Sequence, residues 1–395
     1  MQKICPIFIF IIFKNNMKIA FLTSEYPHPK TKGFGGIATS IKNLASGLAQ
    51  AGYTPSVLVY GQDQDDFFED NGVAVYKIKN IKVKGLSLFL TQRKIRILID
   101  DLYAKGIIAV VEAPDWTGIT SFIKPKKCPI VIRMNGSDTY FCAIEKRPSK
   151  FKNRFLERRA LQKANALLSV SEFTANYTRK LFGLTQKITI IPNGIALENF
   201  TKKEESITPN TILYFGTLIR KKGCLEIPYI FNEVVKTNPS AKLLLVGSDT
   251  SDISTGSKST WVLMQEMFSP KALANVTYLG RKPYHEIRSI IQNAQVCIFP
   301  SYAEALPVSW LEAMALEKPI VASNIGWANE LMTNGIEGFL IYPTAHQSWA
   351  NAINMLLSDP ILAQKLGSNA RDKVKKHFSN EVLLSKNIDF YSTIS

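Results

Sequence analysis

Short apolar runs alternate with amphipathic stretches along nearly the whole chain. Lys18–Thr23 (KIAFLT) is a run of strand type, followed by a loop with Pro27, Pro29, Gly33, Gly35 and Gly36. Ile37, Ile41, Leu44 and Leu48 then recur at helical spacing before Gly52, and Pro55–Val59 is the next apolar run. Ile107–Val111, Pro129–Ile132, Ala164–Val170 and Ile188–Gly194 continue the series. A polar, proline-bearing stretch at 201–210 (TKKEESITPN) interrupts it and reads as a linker. A second series follows, with Thr211–Phe215, Ala241–Gly247, Val276–Gly280, Val296–Phe299 and Pro319–Ser323. Of these, Ala241–Gly247 reads as a central buried strand. Strands buried on both faces show continuous apolar runs, so this pattern predicts parallel sheets built from β–α–β units. Two such series in 395 residues predict two Rossmann-like domains, at 17–200 and 211–376. Trp349, Ile353, Leu356 and Leu357 mark a late helix, and Glu381–Tyr391 reads as a last amphipathic helix within 377–395.

The first sixteen residues, MQKICPIFIFIIFKNN, hold a ten-residue apolar run with no small-residue cleavage site after it. They are expected to be an extension ahead of a start at Met17, being too short for the ~18 apolar residues of a spanning helix. Five scattered cysteines, with no CxxC pair, fit a reduced cytoplasmic protein without a disulfide framework or zinc site. The net charge of +16 favours an anionic partner. It concentrates in two clusters, Lys77–Arg96 and Lys146–Lys163, which point to a phosphate-bearing substrate or an anionic membrane surface. No nucleic-acid motif accompanies them, and nucleic acid is set aside. Asp63-Gln64-Asp65 lies in a longer acidic run and is expected to be a solvated loop, not a metal site.

The chemistry gathers at 299–319, FPSYAEALPVSWLEAMALEKP. A strand end and a polar turn lead into a helix expected to open at Pro307, with its first amides free and its positive end facing the turn. That arrangement suits a phosphate. Glu304 stands in the turn and Glu312 eight residues on, so carboxylates that can accept bonds from sugar hydroxyls flank the anion site. Gly216-Thr217 and the cations Arg220, Lys221 and Lys222 follow the strand Thr211–Phe215 and suit a diphosphate. The loop KGFGG, ending in Gly35 and Gly36, lets a phosphate approach a helix N-terminus without Cβ obstruction, though the G-x-G-x-x-G spacing of a nicotinamide dinucleotide site is absent.

These stretches resemble, in order, the motifs of retaining GT-B glycosyltransferases of the family 4 (group 1) type. The paired glutamates EALPVSWLE are similar to the family's E-x7-E motif, GTLIRKKG to its GR-x4-KG turn, and KGFGGI to its GGI loop. SEF and ITIIPNG with Phe200 resemble its first-domain strand end and exit. The resemblance covers about Lys18 to Tyr391. It implies two Rossmann-like domains facing across a cleft, with the C-terminal helix crossing back to the first. It also implies metal-independent transfer of a sugar, with retention, from a UDP- or GDP-linked donor to a glycan or lipid-linked acceptor, with no cofactor. By resemblance Glu304 takes the hydroxyls of the transferring sugar, Glu312 the ribose, and Lys222 the diphosphate. Ala305, Leu306, Pro307 and Val308 belong to the same donor site, Gly35 and Gly36 face it, and Arg281 follows the strand end that receives the base. The chain departs from the pattern twice. Asn135 stands where many relatives have a histidine, and Thr217 where they have an arginine, for which Arg220 is expected to substitute by reaching back. Arg133 and Asp138 are candidates for acceptor contact. The two departures also admit a catalytically weakened nucleotide-sugar-binding protein, and the same fold admits a sugar-nucleotide epimerase.

Overall fold

A computed structural model describes residues 17–32, 35–201 and 207–394. The apolar extension before Met17, Gly33 and Phe34 of the KGFGG loop, and 202–206 of the expected linker lie outside the described residues. The first sheet comprises β1 (Ile19–Thr23), β2 (Ser56–Gln62), β3 (Asp66–Asp70), β4 (Val73–Lys79), β5 (Val110–Pro114), β6 (Ile130–Met134), β7 (Ala166–Ser169) and β8 (Ile188–Ile190). Its strand order is β3-β4-β2-β1-β5-β6-β7-β8, parallel except for β3. The second sheet comprises β9 (Thr211–Phe215), β10 (Lys242–Val246), β11 (Val276–Tyr278), β12 (Val296–Phe299), β13 (Ile320–Ser323) and β14 (Gly338–Ile341). It is ordered β11-β10-β9-β12-β13-β14 and is parallel throughout. The central strands β1, β5, β6, β9 and β12 are buried along their whole length, as continuous Val/Ile/Leu/Phe runs between helix layers require. The fold class is therefore the expected one.

Three readings of the pattern shift. Residues 110–114 are strand, so the run at Ile107–Val111 begins three residues late and the functional turn opens only at Asp115. The strand in Ala241–Gly247 is not central: β10 lies next to the edge, with Lys242 exposed and Leu244 half-buried. The acidic run divides: Asp63-Gln64-Asp65 is an exposed loop as expected, and only Asp66–Asp70 is strand, the edge strand β3. Lys77 is buried and pairs with Asp63 at 3.5 Å and Asp66 at 3.9 Å, and Lys94 pairs with Asp65 at 2.6 Å. Opposite charges on neighbouring elements thus cancel part of the first basic cluster.

The helices that shape the first domain are α1 (Gly36–Gln50), α2 (Ser87–Ala104), α3 (Asp138–Ile144), α4 (Phe151–Lys163) and α5 (Glu172–Phe182). In α1 the buried line is Ala38, Ile41, Ala45 and Leu48. Spacings of three and four keep it on one face, and its two alanines allow close packing on the sheet.

The chain passes between domains twice, and the two crossings are hydrogen-bonded to each other. The Ile195 amide donates to the Phe378 carbonyl at 2.9 Å, and the Asn380 amide to the Ile195 carbonyl at 2.9 Å. The C-terminal helix, Asn380–Ser392, then returns to the first domain, where Leu383 and Tyr391 join its core. A buried polar clamp holds it there. Arg133 pairs with Glu112 in bidentate fashion at 2.8 and 3.0 Å, and donates to Asn387 Oδ1 at 2.6 Å and to the Ile191 carbonyl at 3.0 Å. Tyr391 donates to Glu112 Oε2 at 2.5 Å. Arg133 is therefore engaged in structure and is not an acceptor contact.

Replacing Arg133 with Ala leaves Glu112 buried without its counter-charge, a loss that typically costs about 3–5 kcal/mol. Tyr391→Phe removes one neutral donor to the buried Glu112 carboxylate and is expected to cost less, about 1.5–3 kcal/mol. Urea unfolding followed by circular dichroism should rank the two variants in that order; equal stabilities would contradict a clamp centred on the ion pair.

Candidate functional site

Parallel sheets leave their ligand crevices beyond the carboxyl ends of their strands, and here two such ends face each other. Thr23 and Ser24 at the end of β1, Pro114 at that of β5, Asn135 just after β6, Phe215-Gly216 at the end of β9 and Val246-Gly247 at that of β10 line one cleft of about 1660 Å³. That is more than the ~300–1,000 Å³ of a single small-molecule pocket, so there is room for two substrates. Every donor-site and catalytic candidate read from the sequence lines it, except Arg220.

At its centre two turns are joined. The turn after β9 and the turn after β12 meet where the amides of Tyr302 and Ala303 donate to the Lys221 carbonyl, at 2.8 and 3.1 Å. Gly223 makes that approach possible: its φ is +66°, and a Cβ there would lie 1.8 Å from the Pro300 carbonyl oxygen. Lys222 Nζ donates to Glu304 Oε1 at 2.9 Å, and Ser301 Oγ to the same oxygen at 3.3 Å. Burial pushes the Lys222 ammonium down, but the Glu304 carboxylate more than reverses this, and it stays charged with its pKa above the ordinary value.

The helix beyond the turn spans Val308–Ala315, with Pro307 as the residue before it and not its first member. The Trp310 amide bonds to the Pro307 carbonyl at 3.2 Å, so the anion-facing amides are those of Val308 and Ser309. Glu312 is buried one turn into this helix and lines the cleft.

The cation beside Lys222 is Lys221, not Arg220. Arg220 turns outward and pairs with Asp252 through two 2.8 Å contacts, which hold the Asp252 carboxyl down at about 2. Lys221 enters the cleft with its Nζ 3.7 Å from the centre of the Phe141 ring, and burial lowers its pKa. Arg281 and His285 line the rim on the second domain.

The first domain grips the same turn from the other side. Tyr140 in α3 donates its hydroxyl to the Glu304 carbonyl at 2.8 Å. The Ser171 and Thr174 hydroxyls at the start of α5 lie 2.9 and 3.2 Å from the Ala305 carbonyl. Glu330 of the second domain accepts from the Glu172 and Phe173 amides at 2.7 and 2.8 Å, capping α5. Asn135 faces the cleft, held by its amide to Asp115 Oδ1 at 3.0 Å and by Asn193 Nδ2 at 3.3 Å. Asp138 instead accepts from Asn153 Nδ2 at 2.9 Å and is absent from the cleft lining.

Two carboxyls at the site were not singled out in the sequence. Glu25 lines the cleft in front of α1; burial raises its pKa, and the Gly35 amide it accepts from partly offsets this. A Cβ on Gly35 would lie 2.8 Å from its Oε2, so that glycine serves the carboxylate as well as an incoming ligand. Asp115 lies beneath Asn135, fully buried, with no hydrogen-bond partner for Oδ2. Only the fold reveals either one, since neither sits in a spaced motif.

Burial pushes Asp115 up to about 7. Its unfolded value is about 3.9, so it costs no stability below that pH, a growing amount between about 4 and 7, and the full amount above. Asp115→Asn removes the titration. The stability of the variant relative to the parent is expected to rise by a few kcal/mol from about pH 4 to pH 8, since each tenfold difference in proton affinity between folded and unfolded chain is worth ~1.4 kcal/mol. Urea midpoints at each pH check this, and a pH-independent difference would contradict it.

Residues 197–373 match the family model of glycosyl transferases group 1, and residues 34–199 that of glycosyltransferase family 4. An uncharacterized glycosyltransferase of Methanocaldococcus jannaschii is 25% identical, over 95% of this chain and 98% of its own length. The capsular polysaccharide biosynthesis glycosyltransferase CapM of Staphylococcus aureus is 26% identical over 60% of this chain and 64% of its own. Among solved structures, sucrose-phosphate synthase of Thermosynechococcus elongatus superposes with a TM-score of 0.76 at 21% identity, covering 95% of this chain and 99% of that one. Anabaena HepE in complex with UDP-glucose gives 0.74 at 19% identity, covering 95% and 100%.

Proposed function

This chain belongs to the group 1, family 4 glycosyltransferases and has their GT-B fold, and we propose accordingly that it moves a sugar from a UDP- or GDP-linked donor to a hydroxyl of a glycan or lipid-linked acceptor. The transfer proceeds with retention and without a metal ion, in the synthesis of a cell-surface polysaccharide or glycoconjugate, at the cytoplasmic side and peripheral to the membrane. The observation that carries the reading is that the joined Lys222 and Glu304 and the first residues of the 308–315 helix line one cleft. HepE was solved with UDP-glucose, which makes a uridine donor the first to test.

The charges that develop explain the residues. As the bond from the sugar C1 to the β-phosphate oxygen breaks, negative charge grows on the diphosphate and positive charge on the ring. Lys222, Lys221 and the Val308 and Ser309 amides meet the negative charge in a preorganised array. Glu304 and Glu312 accept from sugar and ribose hydroxyls. The acceptor hydroxyl forms the new bond to C1 from the face the phosphate leaves, and its proton passes to the departing phosphate oxygen. Asn135 hydrogen-bonds but does not titrate, so it positions and moves no proton. A second reading, a donor-binding protein with weakened catalysis, draws on Asn135 and Thr217.

A panel of nucleotide-sugars, with turnover followed by nucleotide release and the product anomer by NMR, tests the proposal. Lys222→Ala and Glu304→Ala are each expected to lower turnover by about tenfold or more. Lys221→Ala should raise the donor KM several-fold, while Arg220→Ala, at a residue that lies outside the cleft and pairs with the buried Asp252, should leave KM within about twofold and lower stability instead. Donor binding with no turnover over a broad acceptor panel would favour the second reading. An inverted product would remove retention, and loss of turnover in EDTA restored by a divalent cation would remove metal independence.

A further inference from the structure

The exposed face of α4 has an unusual composition for a solvated helix. Phe151 is 84% exposed and Phe155 48% exposed. At about 100° per residue, the two rings lie ~40° apart at the middle of the outward arc. Arg154 and Arg158 flank them on one side, and Lys152, Arg159 and Lys163 on the other. Leu156, Ala160 and Leu161 face the core. The helix's one carboxylate, Glu157, also points inward, where it accepts from the Thr117, Asp138 and Thr139 amides at 3.2, 3.0 and 3.1 Å. The outward arc therefore carries cations and aromatic rings with no acid among them. Next to it Phe122, itself 43% exposed, lies under the Arg159 guanidinium at 4.6 Å.

We propose that this face of α4 docks on an anionic lipid bilayer, with Phe151 and Phe155 entering the headgroup boundary and the flanking cations on the lipid phosphates. A helix lying in the membrane plane needs an apolar centre with cationic edges, and the long basic side chains then reach outward to the headgroups while their stems cover the apolar rim. Charge complementarity selects anionic lipid over neutral lipid. The first basic cluster is a weaker candidate, because Lys77 and Lys94 are already paired with aspartates. The position of α4 gives the docking a use. The turn Trp116–Gly118 packs directly on it, a Cβ at Gly118 falling 2.4 Å from the Leu156 carbonyl carbon, and Trp116 is part of the cleft lining. Docking by α4 thus brings the cleft mouth to the lipid surface. This deepens the reading of a lipid-linked acceptor, and it stands on surface chemistry that can be measured without any transfer reaction.

The test is co-sedimentation of the full chain with vesicles of phosphatidylcholine alone and with about 30% phosphatidylglycerol, each over a salt series. Binding to the anionic vesicles at low salt, lost at high salt, is expected, with at least about tenfold weaker binding to the neutral ones. Phe151→Ser with Phe155→Ser, and separately Lys152→Gln with Arg154→Gln and Arg158→Gln, should each reduce partitioning about tenfold or more. Both variants should keep the parent's thermal midpoint and its shift with a nucleotide-sugar, showing that the cleft is intact. No binding at low salt, or binding unchanged in both variants, would overturn the proposal. So would a concentration-dependent dimer that the phenylalanine variant abolishes while the parent ignores vesicles, which would assign the face to a second copy of the chain. Absence of turnover with intact vesicle binding would instead count against the enzymatic reading alone.

Discussion

Glu304 does not sit on the helix that its motif belongs to. It stands in a turn four residues earlier, and a turn has no ladder of its own to hold a carboxylate in place. The position comes from contacts on every side: Lys222 and Ser301 on the carboxylate, the Lys221 carbonyl on the two preceding amides, Tyr140 on its own carbonyl, and Ser171 and Thr174 on the next. Half of these partners belong to the other domain. The geometry of the Glu304 carboxylate and the approach of the two domains are therefore one constraint. Anything that separates the domains releases the backbone on which Glu304 is mounted.

The same economy appears in how the domains are tied. Ile195 and the Phe378–Asn380 segment bond to each other, so the two chain crossings form a single narrow connection. The C-terminal helix is then fixed to the first domain by Arg133 and Glu112, a buried pair whose remaining donors and acceptors are taken up by Asn387, Tyr391 and the Ile191 carbonyl. Such a pair is tolerated in a core when its charges oppose each other in good geometry and further hydrogen bonds take up most of the remaining donors and acceptors. Arg133 sits one residue before the end of a strand whose next loop enters the cleft, so a residue two positions from Asn135 is structural while Asn135 itself faces the cleft. The strand ends at Met134, so Asn135 already belongs to the loop and is not bound by the alternation that seats Arg133.

Local adjacency misled in the same way at Arg220 and Lys221. In a 3₁₀ turn successive side chains point ~120° apart, so three consecutive cations cannot all face the cleft; Lys221 and Lys222 do, and Arg220 goes where another partner draws it. Lys222 was legible because its glycine and its spacing from Gly216 are fixed features of the turn. Arg220 is drawn outward by Asp252, thirty-two residues further along the chain, which leaves Lys221 as the second cation of the cleft. The acidic run at Asp63–Asp66 is a similar case. Asp63 and Asp65 stay exposed, as expected of a solvated loop, and they also became partners of Lys77 and Lys94 once β3 folded back on β4. Glu25 and Asp115 escaped notice for a plainer reason: a single carboxyl in a loop has no periodicity, and burial is what distinguishes it.

Neighbouring residues were enough to specify the class of fold, the succession of apolar strands, and the two glutamates, lysine and helix start that line the cleft. Hydrophobic period, glycine and proline act over a few positions, so these features can be read along the chain. Four others could not: which cation enters the cleft, which arginine is structural, what holds Glu304, and that Phe151 and Phe155 face outward among arginines. Each of those depends on a partner tens or hundreds of residues away, or on the side of a helix that the core leaves uncovered. Contact across that distance is set by how sheets and helices pack, and local patterning carries no record of it.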